Sequence, residues 1–502
     1  MASLKLYPSY DEFQRLAESS ANVIPVFCQI LSDNLTPVSA YARVAGASSH
    51  SFLLESVVGG EKIARYSFLS CDPVMTFEAR GTKVEITENK QIRCQEASDP
   101  LRILEQILKP YRALHLPGLP RFLGGLVGYA GYDMVRYYEK KLPQVPNDDR
   151  NLPDLAFGLY PNMIVFDNVT KTIKVVSNAF IEHGTRTAYT KAVERIEWLV
   201  EKLSSHVDFP PTLIDPSAEP KMNFTSNFKR EEFERAVDRC KEYIFAGDIF
   251  QVVLSQRLAV KTKADPFNIY RALRVVNPSP FMFHLKTPAC TLVGSSPEIM
   301  CRVEDGIITN RPLAGTRRRG KTEEEDLALE KELLADPKER AEHIMLVDLG
   351  RNDVGKVSEL GSVSVTEEMK VERYSHVMHI SSNVQGKLAA GRTAFDALRS
   401  TLPVGTVSGA PKVRAMQIID EFEPTKRGPY AGAVGYVDFS GNMDTCIALR
   451  TLVLQNDTAY VQVGAGIVAD SVPENEYQET INKAKGQLKA IEIAEGFPPL
   501  AK

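Results

Sequence analysis

The chain has 502 residues, 43% of them hydrophobic and 25% charged, which excludes a disordered protein and gives length enough for two or three packed cores. A net charge of −4 offers no general attraction to nucleic acid or anionic membranes, and no apolar run approaches the length that spans a bilayer. Seven cysteines without a Cys-x-x-Cys or any close pair give neither a disulfide framework nor a zinc site, so a cytoplasmic protein with no membrane or nucleic-acid partner is expected.

The first half reads as mixed α+β. Residues 51–58 and 83–86 predict strands, 164–176 further strands, and 187–203 a helix. The stretch 204–226 includes Pro210, Pro211, Pro216 and Pro220 and has no apolar period. It predicts a linker between an N-terminal domain, residues 1–203, and a larger domain, residues 227–502.

Beyond the linker, Phe233, Ala236, Val237, Cys240 and Ile244 share one face of a helix that Gly247 ends. A strand over 249–258 follows. Phe250, Val252, Leu254 and Leu258 make its apolar face, and Gln251, Ser255 and Arg257 lie opposite, so Gln251 points into a cleft or to solvent. A hairpin is expected over 299–303 and 307–310, around Glu304-Asp305-Gly306. Glu298 stands at its mouth with apolar neighbours. Burial would raise its pKa and suit it to donate a proton near neutrality; an exposed strand start is the alternative. The basic run Arg317-Arg318-Arg319 reads as an exposed loop, with acids following at 323–326.

Two helices come next, one opened by Thr322 with Glu325, the other by Asp336-Pro337. The second carries Glu339 and Glu342. A final helix over 474–491 repeats the pattern, with Glu476 and Glu479 after Pro473 and then Lys483. A spacing of three puts each acid pair on one helix face. Acids there also complement the helix dipole, and Glu479 with Lys483 has ordinary ion-pair spacing. If the two faces meet, four carboxylates surround one point and need a cation, for which an all-oxygen set favours magnesium or calcium over zinc.

Between these helices, Gly405-Thr406 and Ser408-Gly409-Ala410-Pro411 precede a helix containing Val413, Met416 and Ile419. Its start binds an anion or is capped by Ser408. His379, in an apolar run, is a core residue or a ligand-facing one. Strands are expected over 433–439, 447–454 and 459–463. Arg450 lies within the second, otherwise almost wholly apolar, and needs a carboxylate partner, internal or from a ligand. Gly464-Ala465-Gly466 follows the third, where small residues let backbone N–H groups approach an anion. GGLVGY at 124–129 echoes AGAVGY at 431–436, too briefly to define a repeat. These features describe a pocket for a small, carboxylate-rich substrate.

In order and spacing, several runs resemble the chorismate-utilising enzymes: DIFQVVLSQR at 248–257, GSSPE at 294–298, RPLAGTR at 311–317, AEH at 341–343 with VDLGRND at 347–353, GTVSGAPK at 405–412, GAGIV at 464–468 and ETINK at 479–483. The resemblance spans about residues 225 to 492, and the N-terminal half is similar to the large, or component I, subunits of anthranilate synthases. It implies an α+β fold of mixed, largely antiparallel sheets packed with outer helices, a regulatory N-terminal domain and a chorismate-binding catalytic domain. It also implies Mg2+, with Glu342 and Glu479 as nearest ligands and Glu339 and Glu476 close by or acting through water. Arg450, Tyr430, Lys483 and the backbone of Gly464, Ala465 and Gly466 would hold the substrate carboxylates, with Gly315, Thr316, Thr406 and His379 lining the same pocket. Glu298 would protonate the departing C4 hydroxyl as ammonia attacks C2, and the aminodeoxyisochorismate so formed would lose pyruvate to give anthranilate.

Relatives that add water carry a lysine where this chain has Gln251, and relatives that aminate para to the carboxylate carry one where it has Ala314. The resemblance therefore implies direct amination at C2. No cysteine sits in a Gly-x-Cys-x-Gly turn, so a separate glutamine amidotransferase subunit, component II, is the implied ammonia source. Leu54, Glu55 and Ser56 with Pro280, Phe281 and Met282 are similar to the family's tryptophan feedback site. A plain strand and a Pro-rich turn are the alternative there, and a silent tryptophan-binding regulator is the competing reading of the whole chain.

Overall fold

The computed structural model describes residues 4–57, 65–182, 184–207, 209–210, 212–216, 218–374 and 377–498. Residue 58 of the first expected strand and Pro211 of the linker lie outside them.

Strands with a two-residue period and apolar side chains on both faces must be covered on both sides. Along Asn162–Asp167, Met163 and Val165 turn one way and Ile164 and Phe166 the other, and all four are buried in separate cores. Two large sheets, of 13 and 12 strands, carry this pattern through the molecule. Every ladder between the named strands considered below is antiparallel. The sheets pack face to face over a core that joins Phe52, Phe283 and Val453 of the first to Val127, Tyr160 and Val434 of the second.

Helices cover both outer faces, as expected of an α+β fold of antiparallel sheets and outer helices. Pro37–Ala45, Thr185–Leu203, Pro266–Val276 and Pro473–Glu495 pack on the first sheet. Pro100–Leu108 and Ala394–Thr401 bury their apolar faces in the core that lies behind the second, and Lys412–Phe422 packs into the same core against the Gln251–Lys261 strand of the first. Pro266–Val276 shows the local logic: Asp265 caps the Phe267 N–H, Pro266 opens the first turn, and Phe267, Ile269, Tyr270 and Leu273 face inward.

Both sheets draw strands from each side of residues 204–226. In the first, Ser51–Glu55 pairs with Phe281–Lys286. In the second, Gly125–Ala130 pairs with Ala433–Asp438, so the two GY-containing runs that echo each other in sequence are neighbouring strands, with Gly128 opposite Gly435. Close approach explains both glycines. A Cβ on Gly128 would lie 2.0 Å from the Ala156 carbonyl oxygen, and one on Gly435 would lie 2.1 Å from that of Asp444.

Three expectations change. Residues 447–454 are not one strand: Met443–Ile447 belongs to the second sheet and Thr451–Gln455 to the first, with Arg450 in the gap at φ 49°. The Thr458–Ile467 strand runs on through Gly464-Ala465-Gly466 instead of stopping before it. The basic run is no exposed loop, because Arg317 and Arg318 end the Leu313–Arg318 strand and the acids that follow take their charge, Glu325 pairing with Arg318 and Asp326 with Arg319.

Candidate functional site

Two neighbouring strands cross between the sheets at one place. Thr291–Ser296 continues as Ile299–Glu304, and Met443–Ile447 as Thr451–Gln455, and the two chains pair on both sides of the crossing. At the corner the regular ladder gives way to single bonds: the Ile447 N–H donates to the Glu298 carbonyl at 3.0 Å, and the Ser295 N–H to that of Arg450 at 3.2 Å. Glu298 and Arg450 are thus both anchored by their backbone at this corner, between the regular strands.

Glu298 is 6% exposed, so the exposed strand start is ruled out. Burial pushes its carboxyl up to about 8, against the opposing pull of a 3.0 Å hydrogen bond from the Thr406 hydroxyl. Thr406 sits in the short 3-10 turn Gly405–Val407. Ser408 does not cap the helix that follows; its hydroxyl donates to the Val404 carbonyl at 2.8 Å, and Pro411 is the N-cap.

Arg450 has no hydrogen-bonded or ion-paired side-chain partner among the described residues, so the internal pair is absent. Burial pulls its pKa down, and the nearby Tyr430 and Glu479 pull it back. Its charge also lowers the pKa of His379, which burial has already depressed. The His379 Nδ1–H donates to the Gly315 carbonyl at 2.8 Å, leaving Nε2 an acceptor. Thr316 Oγ1 lies 3.1 Å from the same nitrogen. Gly315 takes φ 65°, and a Cβ there would stand 3.1 Å from Glu339 Oε2.

Gln251 begins the Gln251–Lys261 strand, 5% exposed, and therefore points into the cleft. Its Nε2 donates to Glu342 Oε1 at 3.3 Å, and its Oε1 is buried without a partner. Gly464 and Gly466 make room for the opposite wall, because a Cβ would lie 2.8 Å from the Tyr430 hydroxyl at the first and 2.6 Å from Gln251 Nε2 at the second. The Gly464 carbonyl accepts from Lys483 Nζ at 2.9 Å, on the side away from the paired strand. Ala465 alternates with them: its methyl is buried in the core and it pairs with Leu254.

The two helix faces approach each other without gathering the four acids at one point. Burial raises the Glu342 pKa, and Glu339 and Glu479 add to the rise. Glu339 is taken by Arg317 at 3.0 Å and does not close a capping box on Asp336, while Glu479 pairs with Lys483 at 2.6 Å. Glu476 has its pKa raised by burial, with Glu479 adding to it. Among the described residues neither Glu342 nor Glu476 makes an ion pair; Glu342 accepts from the neutral Gln251 amide and is repelled by Glu339 and Glu479, with the charge of Lys338 opposing them, a situation a cation relieves. Among the described residues no three acid, histidine or cysteine side chains form a ready-made metal cage. The set fits a hard ion that keeps water and takes ligands from a substrate.

Leu54, Glu55, Ser56, Pro280, Phe281 and Met282 meet in one cavity of about 750 Å³ between the sheets, which reaches Glu298 but not Glu342, Arg450 or Lys483. Glu55 is already engaged: Arg274 donates to it at 3.2 Å and Tyr270 hydrogen-bonds it, while burial raises its pKa. Sequence reading missed Glu423 and Arg427, a buried pair behind Thr406 and Tyr430; their i,i+4 spacing, just past the end of a helix, was the only signal.

A family model described as chorismate binding enzyme matches residues 50–489. The chain is 50% identical to anthranilate synthase component 1 of Acetivibrio thermocellus, over 97% of this chain and 99% of that one. It is 50% identical to the Pseudomonas aeruginosa protein of the same name, with 97% and 99% covered. Among solved structures it is similar to anthranilate synthase component I from Streptococcus pneumoniae TIGR4, at TM-score 0.75 and 41% identity, covering 91% of this chain and 99% of that one.

Proposed function

The chain belongs to the chorismate-binding enzyme family, and on that premise we propose that it aminates chorismate at C2 and releases anthranilate and pyruvate. The observation that carries this reading is the corner itself: a carboxyl that burial pushes up to about 8 and, on the paired segment, a buried guanidinium with no side-chain partner among the described residues. Arg450, Lys483 and the free edge at Gly464 and Gly466 hold the two substrate carboxylates. Ammonia forms the C2–N bond while both conjugated ring double bonds shift and the C4–O bond breaks, and Glu298 gives its proton so that water, not hydroxide, leaves. The second stage removes the C2 proton and breaks the C3–O bond, yielding pyruvate and the aromatic ring.

Gln251 and Ala314 favour this course over hydration or para amination, since neither position offers an amine to activate water or attack the ring. Glu342 and Glu479 would hold a magnesium ion, with Glu339 and Glu476 behind them. Bound there, the ion offsets the charge of the ring carboxylate.

Ammonia comes from a partner amidotransferase. The cysteines support this, because all are buried except Cys94, which lies on the exposed Gln91–Glu96 strand. The aromatic cavity at Leu54 to Ser56 and Pro280 to Met282 is suited to tryptophan, whose ammonium would share Glu55 with Arg274.

Chorismate, ammonium and magnesium supplied to the isolated chain should give a product with the fluorescence and mass of anthranilate. A para-amino product, or no consumption of chorismate, would sink the reading.

A further inference from the structure

We propose that Arg427 is a positioning residue for the acid: paired with Glu423, it locks the Gly405–Val407 turn to the Gln251–Lys261 strand and so sets where Thr406 presents its hydroxyl to Glu298. The inference rests on the reading of Glu298 as proton donor.

Arg427 is 2% exposed, and its guanidinium is spent on three elements at once. Nε donates to Glu423 Oε2 at 2.9 Å and Nη2 to Glu423 Oε1 at 2.6 Å. Nη1 donates to the Val407 carbonyl at 2.7 Å, next to Thr406, and Nη2 to the Val253 carbonyl at 2.7 Å, two residues from Gln251. Glu423 Oε1 in turn accepts from the Ser255 N–H at 2.8 Å and its hydroxyl at 2.7 Å. The guanidinium also lies 4.7 Å from the Tyr132 ring centre and 5.4 Å from that of Tyr430.

A buried ion pair is a poor device for stability alone, because desolvating both charges offsets most of their attraction. What a planar five-donor fork supplies is fixed geometry, which a lysine cannot reproduce. Here the geometry joins the turn that carries Thr406, the strand that carries Gln251, and the ring of Tyr430. The Val253 N–H adds a bond to the Ser408 carbonyl at 2.9 Å, so the seam is pinned twice at the C-terminal end of that turn.

The test is the alkaline limb of the pH profile. Donation from Thr406 favours the ionised carboxyl, so losing it moves the Glu298 pKa, and the limb, upward. Arg427→Lys and Thr406→Val should each raise the limb by about one unit, and the double variant should go no further. The other titratable and charged groups lining the Glu298 cavity, among them Tyr374, Glu372, Arg311, Arg302, Asp444 and Glu304, are unaltered in these variants.

Glu423→Gln keeps the shape of the pair and should shift the limb in the same direction. A limb that stays put in Arg427→Lys, or in Thr406→Val, overturns the proposal. So does failure of both Arg427→Lys and Glu423→Gln to fold, which would make the pair a stabilising element only. Undiminished turnover in Glu298→Gln would instead remove the acid reading itself.

Discussion

The Thr406 hydroxyl donates to Glu298 Oε1 across 3.0 Å, joining residues 108 positions apart in the chain. The bond steadies a carboxyl that burial keeps protonated at neutral pH, the state a proton donor needs. With Glu298 as the proposed proton donor, the protonated form is the active one, so kcat/KM should be retained below its pKa and fall as pH rises through about 8. Glu298→Gln should lower kcat by about 10² to 10⁴ with a smaller change in KM, read from anthranilate fluorescence.

Arg450 is buried without a hydrogen-bonded or ion-paired side chain among the described residues, which costs stability and, on the proposed function, would serve binding. Arg450→Met should reduce kcat/KM by about 100-fold or more while leaving the melting temperature equal or higher. A markedly lower melting temperature would mean that the guanidinium has a structural partner.

Glu342 faces Gln251 and the charges of Glu339 and Glu479. Millimolar magnesium should therefore raise the melting temperature relative to EDTA, with a gain of about 2.7 kcal/mol when the ion is a hundredfold above its dissociation constant. In Glu342→Gln that thermal gain should vanish. An equal gain in both proteins would move the ion elsewhere.

Glu55 links the large cavity to Arg274 and Tyr270. Glu55→Gln should weaken tryptophan inhibition about tenfold, measured against the variant's own uninhibited rate, and lower the melting temperature because Arg274 loses its countercharge. Unaltered inhibition would place the effector outside this cavity.

Gly128 has no room for a methyl group, with the Ala156 carbonyl 2.0 Å from where a Cβ would stand. Gly128→Ala should cost about 3 kcal/mol or more in urea unfolding, since backbone on a central pair of strands has nowhere to move. A cost near zero would show that the strands can part.

Much of the fold was legible because periodicity is local. The helix ending in Leu203, the hairpin after Glu298 and the two helices opened by proline all lie within a few residues of expectation. The reading of 447–454 as one strand failed at Arg450 for a physical reason: an apolar run carries no mark of a crossing between sheets when both are buried. The glycines at 464 and 466 were visible as small residues, but not as the places where Tyr430 and Gln251 come close.

The sequence by itself determined which residue types were available: paired glutamates on two helix faces, a neutral Gln251 and Ala314 at the two positions the family resemblance singles out, and no cysteine in a Gly-x-Cys-x-Gly turn. Only the tertiary structure decided which of them meet. Burial raises the Glu298 pKa, Arg317 and Lys483 take Glu339 and Glu479 and leave Glu342 to the Gln251 amide, and Glu423 with Arg427 ties a turn to a strand. These are effects of desolvation and of contacts between distant segments, which depend on how two sheets meet and not on any spacing along the chain.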